Sequence, residues 1–194
     1  MSVVGGLLHE GGELKLANII TLARLASILP ILLLLANDHA EMAFALYIVA
    51  ALTDMLDGWL ARRSSRASDF GARLDGVVDN IFSVALLPFL LLAFPGLLDR
   101  HPIALIVLFA GPLLYLFIAK LWTGSLMMFH FLSAKAGALL LFALWPAMWV
   151  TGWEGFVAVA AAVVGASRLE QLFFIWRGGS AQDAPHGFVR LERG

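Results

Sequence analysis

The chain has no cysteine among its 194 residues. Disulfides, thiolate nucleophiles and cysteine-ligated zinc are therefore excluded. Charge is also scarce. Asp, Glu, Lys and Arg make up 14% of the sequence, against about 25% in an ordinary soluble domain. The 13 basic and 14 acidic residues nearly cancel, leaving a formal net charge of −1. No electrostatic footprint for nucleic acid follows from that balance. The stretch Met1 to Lys15 carries Glu10 and Glu13 and no basic cluster ahead of an apolar run, so it reads as neither a signal peptide nor a transit peptide. Internal repeats and low-complexity tracts are missing as well.

Apolar surface is what the chain has in excess. Hydrophobic residues make up 61% of it, and the mean hydropathy is +0.88. A helix crossing a bilayer needs about 20 mostly apolar residues, and six stretches qualify. They run from about Ile19 to Ala36, Met42 to Leu60, Phe70 to Phe94, Pro102 to Leu121, Ala136 to Val150 and Phe156 to Trp176. The expected fold is all-α, a polytopic membrane protein with six transmembrane helices. Residues 18–177 form the membrane domain, 178–194 a polar cytoplasmic tail, and 1–17 an N-terminal segment. In that segment Leu7, Leu8, Leu14 and Leu16 alternate with Glu10, Glu13 and Lys15, which suggests a short helix lying in the interface.

Orientation follows from Lys and Arg, which favour the cytoplasmic side. Six spans put both termini on one side, with Lys15, Arg24, Arg62, Arg63, Arg66, Arg73, Lys120, Lys135, Arg168, Arg177, Arg190 and Arg193. Only Arg100 falls opposite. The termini are thus expected in the cytoplasm of a cell (inner) membrane. Trp122, Trp145, Trp149, Trp153 and Trp176 fall near span ends, as an aromatic belt would.

One stretch interrupts this apolar pattern with acids. Asp54 and Asp57 lie three residues apart near the cytoplasmic end of the second span, and Asp75 and Asp79 four apart near the start of the third. Each pair shares a helix face. Charges within a span cost roughly 2.5–3.5 kcal/mol each on insertion scales, and no equal set of lysines or arginines is built into the same turns. Oxygen-only ligands suit hard divalent cations such as Mg²⁺ or Mn²⁺. Two such ions suit a pyrophosphate, stabilising attacking and leaving oxygens. Gly58, Ala61 and Gly71 keep the helix surfaces bare for a ligand, and Arg62 presents a planar fork to a phosphate.

These residues resemble the signature of the CDP-alcohol phosphatidyltransferase family, D-x2-D-G-x2-A-R-x8-G-x3-D-x3-D. Asp54, Asp57, Gly58, Ala61, Arg62, Gly71, Asp75 and Asp79 fill every fixed position, with both gaps of the right length. The motif covers only Asp54 to Asp79; the six-span layout extends the likeness. The resemblance implies a CDP-linked donor, an alcohol acceptor and release of CMP. It implies that Asp54, Asp57 and Asp75 are metal ligands, and that Asp79 shares the metals and deprotonates the acceptor hydroxyl. It further implies that Asp54, Gly58, Ala61, Arg62 and Gly71 line the CDP site, and that the enzyme is a homodimer among membrane lipids.

The acceptor is less specified. The run Asn18-Ile-Ile-Thr21-Leu-Ala-Arg24 resembles the opening of phosphatidylglycerophosphate synthases, which implies glycerol 3-phosphate. Arg24, Lys120, Lys135 and Arg168 are the candidate acceptor-binding residues, and His130 and Glu170 lie nearby in sequence. Those synthases often carry a lysine-rich G-K-x-K-T stretch; Ser133-Ala134-Lys135-Ala136 keeps one lysine. Inositol phosphate, serine, phosphatidylglycerol as acceptor, or a CDP-choline type donor, stay open. From another class, a divalent-cation transporter or metal-stabilised scaffold also uses intramembrane acids. The Gly-Ala-Arg positions between the acid pairs disfavour it, because metal binding alone does not require them.

Overall fold

In the computed structural model, residues 9–10, 13–14, 16–63, 69–124 and 131–178 are described, with side chains over 18–53, 74–124 and 131–178. Two strands of two residues, β1 (His9–Glu10) and β2 (Glu13–Leu14), pair antiparallel. Where it is described, the leader is therefore a small ladder and not the expected interfacial helix. Gly5, Gly6, Gly11 and Gly12 give a physical reason, since each glycine costs a helix about 1 kcal/mol.

The rest is helical: α1 (Leu16–Ala36), α2 (Ala40–Arg63), α3 (Asp69–Ala93), α4 (Leu97–Arg100), α5 (Pro102–Phe109), α6 (Gly111–Thr123), α7 (Leu132–Thr151) and α8 (Phe156–Trp176). The chain divides into two compact units, Met1–Phe94 and Pro95–Gly194.

In the first unit α1 is central and packs on both α2 and α3. Its buried side includes Asn18, Thr21, Arg24, Ile31 and Leu35. Tyr47 of α2 stacks on Phe82 of α3 at 5.7 Å and meets the edge of Phe89 at 6.3 Å. This apolar end fixes how α2 and α3 register, and hence the height of the acidic turns below.

In the second unit α8 is central, packing against α5, α6 and α7. Gly137 of α7 permits close approach: a Cβ there would meet Val164 Cγ2 at 3.1 Å. Small residues at such crossings let membrane helices pack closely. Tyr115, Ala119, Phe131 and Ile175 form a buried cluster at one end. Gly124 and Gly152 end α6 and α7 in left-handed conformations (φ 72° and 68°), which glycine adopts without a Cβ penalty.

Among the described residues, four helical segments are long and apolar enough to cross a membrane: Asn18–Ala36, Leu74–Ala93, Leu132–Thr151 and Phe156–Trp176. A fifth results if α5 and α6 count as one span, broken by a 44° bend. The break falls at Ala110, two residues before Pro112; proline lacks the N–H and crowds the carbonyl four residues back. Six spans are not found among the described residues. The expected second span lies on the 24-residue α2, of which Ala40–Thr53 is an apolar stretch among the described residues. Ile103, Leu121, Leu139, Val150 and Leu169 are more than two-thirds exposed. Such a surface suits hydrocarbon rather than water, and the chain is a multi-pass membrane protein. Of the expected belt, Trp122, Trp153 and Trp176 are exposed, but Trp145 is fully buried with Leu144 and Met148 and belongs to the core.

Candidate functional site

Asp75 and Asp79 sit one turn apart in the first half of α3, so their side chains lie on one face. Arg24 of α1 meets both. Its Nη2 donates to Asp75 Oδ1 at 3.0 Å and its Nη1 donates to Asp79 Oδ1. Thr21, one turn earlier on α1, donates to Asp75 Oδ1 at 3.4 Å. The Arg24 side chain is 0% exposed, while those of Asp75 and Asp79 are 42% and 37% exposed. A buried cation thus anchors two half-exposed anions. It does so because Asn18, Thr21 and Arg24 recur every three residues on the buried side of α1.

Arg24 sets one guanidinium against the two carboxylates of Asp75 and Asp79. The imbalance leaves room for a cation. Among the described residues Asp75 Oδ2 takes no hydrogen bond or ion pair, and carboxylate oxygens are the ligands hard divalent ions prefer. The residues present therefore fit Mg²⁺ or Mn²⁺, although the described residues alone contain no group of three acidic or histidine ligands. Asp54, Asp57, Gly58, Ala61 and Arg62 are on α2 and Gly71 on α3. Their side chains lie outside the described residues.

The remaining sequence candidates divide. Arg24, expected among acceptor-binding residues, is placed on the two aspartates. Lys120 and Lys135 are exposed, with no hydrogen bond or ion pair among the described residues. His130 lies outside the described residues. Arg168 is partly buried, its guanidinium 5.3 Å from the Tyr115 ring centroid, and its Nη1 donates to Gln171 Oε1 at 3.1 Å. Gln171 and Ser167 are buried, and Gln171 Nε2 donates to Ser167 Oγ at 3.2 Å. Ser133 of α7 hydrogen-bonds Ser167 at 3.2 Å and Glu170 at 2.5 Å. Tyr115, Ser133, Ser167 and Gln171 were not singled out from sequence. The available signal was the spacing of Ser167, Arg168 and Gln171 inside an otherwise apolar span.

At the opposite end of the second unit, Arg100 Nε and Nη2 each donate to one Glu154 carboxylate oxygen at 2.7 Å. These hydrogen bonds hold the Glu154 carboxyl below its ordinary value, against the opposing effect of burial.

Comparison with known proteins adds the following. A family model described as CDP-alcohol phosphatidyltransferase matches residues 14–167. A CDP-diacylglycerol--glycerol-3-phosphate 3-phosphatidyltransferase of Cereibacter sphaeroides is 30% identical over 85% of this chain and 70% of its own length. A protein of the same name from Pseudomonas fluorescens is 35% identical over 48% of this chain and 50% of its own. A CDP-diacylglycerol--inositol 3-phosphatidyltransferase of Schizosaccharomyces pombe is 40% identical over 29% of this chain and 24% of its own. The matched stretch thus spans half or less of the last two. No solved structure matches.

Proposed function

The chain belongs to the CDP-alcohol phosphatidyltransferase family, and we propose that it moves a phosphatidyl group from CDP-diacylglycerol to glycerol 3-phosphate with release of CMP. The observation that carries the reading is the Asp75–Asp79 face, set at motif spacing and anchored by Arg24. The acceptor choice rests on relatives named for glycerol 3-phosphate.

In this reading the acceptor hydroxyl attacks the phosphorus that bears the diacylglycerol. A new P–O bond forms, the P–O bond to CMP breaks, and the hydroxyl proton goes to the Asp79 carboxylate. Asp54, Asp57, Asp75 and Asp79 would hold two divalent ions, which when bound offset pyrophosphate charge and make CMP a better leaving group. Arg24 keeps Asp75 and Asp79 on one face. Asp79, as base, needs only a carboxylate's modest basicity. Gly58, Ala61, Arg62 and Gly71 line the CDP site, and Arg168, with Lys120 and Lys135, serves the acceptor phosphate. The site faces the cytoplasm with both termini in a six-span inner-membrane protein that works as a homodimer.

The relative named for inositol keeps a second acceptor class in view, as does the single lysine at Lys135. Serine, phosphatidylglycerol and a CDP-choline type donor belong to the same chemistry. Thermal melting in detergent separates the family reaction from a cation transporter or scaffold. The account expects CDP-diacylglycerol to raise the melting temperature only with Mg²⁺ or Mn²⁺ present. A response to the ion alone, with none to the nucleotide, would contradict it.

A further inference from the structure

The hydrogen bonds between α7 and α8 have a direction that donor and acceptor chemistry dictates. Arg168 can only donate, so the Gln171 amide must turn Oε1 toward it. The Gln171 Nε2 then faces Ser167 Oγ, which accepts at 3.2 Å. Ser133 donates its single hydroxyl proton to Glu170 Oε2. Ser133 Oγ is left as acceptor for the Ser167 hydroxyl 3.2 Å away. Every proton in the chain Arg168, Gln171, Ser167, Ser133, Glu170 therefore points from the cation to the anion. The two charges are neighbours in sequence but lie on different faces of α8, and three neutral groups connect them.

This relay clamps the guanidinium. The Tyr115 ring covers one side, and Gln171, fully buried, fixes Nη1. Arg168 Nε is buried without a hydrogen-bond partner among the described residues, an unusual condition for a buried donor. An arginine whose fork is held in place, with a donor still unsatisfied, is preorganised for a planar bidentate contact with an oxyanion.

We propose that Gln171 is a positioning residue for recognition of the acceptor's phosphate monoester, orienting Arg168 through the Glu170–Ser133–Ser167 relay. This rests on the reading of Arg168 as an acceptor-binding residue. Removing the relay lets the guanidinium turn and weakens phosphate capture. It leaves the donor site and the chemical step untouched.

Two measurements test it. In steady-state assays, Gln171→Leu is expected to raise the glycerol 3-phosphate KM about tenfold or more. The kcat and the KM for CDP-diacylglycerol should stay within about twofold. Glu170→Gln and Ser133→Ala are expected to raise the same KM several-fold, and Ser133→Thr, which keeps the hydroxyl, to restore it. Independently of turnover, inorganic phosphate should raise the melting temperature of the wild-type protein, less in Gln171→Leu and Glu170→Gln, and not at all in Arg168→Ala. Glu170→Gln and Ser133→Ala keep the test open if Gln171→Leu does not fold. If Arg168→Ala changes both readouts while the relay variants change neither, the relay is overturned and the acceptor reading stands. If Arg168→Ala changes neither, both fall. If the phosphate shift follows the relay in an enzyme that releases no CMP, the anion clamp stands without the acceptor reading.

Discussion

Arg24 and Asp79 form an ion pair in which the arginine is wholly buried and the aspartate more than one-third exposed. The same guanidinium reaches Asp75 through its other terminal nitrogen. Removing Arg24 leaves two aspartates one turn apart without their counter-charge. Arg24→Gln is expected to destabilise the protein by roughly 1–3 kcal/mol, seen as a lower melting temperature in EDTA. Mg²⁺ or Mn²⁺ should recover more of that loss in the variant than it adds to the wild type. Arg24→Lys should retain part of the stability, because one ammonium lacks the fork that spans both carboxylates.

Asp79→Asn keeps the shape of the side chain and an oxygen for Arg24, but removes the base. CMP release is expected to fall about 10²-fold or more, with a melting temperature close to that of the wild type. Equal loss of fold and activity would assign Asp79 to structure instead of chemistry.

At the other end of the second unit, acid should loosen the Arg100–Glu154 pair. The Glu154 carboxyl is depressed below 4.5, chiefly by hydrogen bonds from Arg100. Its contribution is therefore complete above the ordinary glutamate value and is lost as pH falls through the lower folded value. Arg100 is shifted upward, chiefly by its hydrogen bonds to Glu154, and stays charged throughout that range. Melting temperatures measured from neutral pH down to pH 3 should drop less in Glu154→Gln than in the wild type, from a slightly lower starting point. The pair is exposed, so the effect is small.

Gly137 has no room for a large side chain. Its added Cβ would lie 3.1 Å from Val164 Cγ2 and 3.6 Å from Val164 Cα. Gly137→Leu is expected to cost about 1–3 kcal/mol through overpacking, and Gly137→Ala less, since the valine methyl can shift by a few tenths of an ångström. Thermal melts of the two variants check the order.

Much of this was legible in residue patterns. The α8 boundaries, Phe156 to Trp176, match the expected span, and α1 and α3 lie within three residues of theirs. Uniform apolarity is a strong signal there. It is a poor guide to bends: the break at Ala110, two residues before Pro112, depends on one missing N–H, which hydropathy does not register. The motif aspartates were readable because fixed spacing puts Asp75 and Asp79 on one face. Their pairing with Arg24 was not, because it joins residues 51 and 55 positions apart, and periodicity within one helix says nothing about which neighbour it meets. The same holds for Ser133, which joins Ser167 and Glu170 only through the packing of α7 on α8.

The most direct test is CMP release by the purified protein in detergent, with CDP-diacylglycerol and Mn²⁺ or Mg²⁺. The acceptors are glycerol 3-phosphate, inositol phosphate, inositol, serine and phosphatidylglycerol, and Asp79→Asn is the control. The account predicts release that depends on glycerol 3-phosphate and on the divalent ion and is lost in the control. Release with another acceptor alone would overturn the choice of glycerol 3-phosphate, and no release with any of them would contradict the proposed reaction.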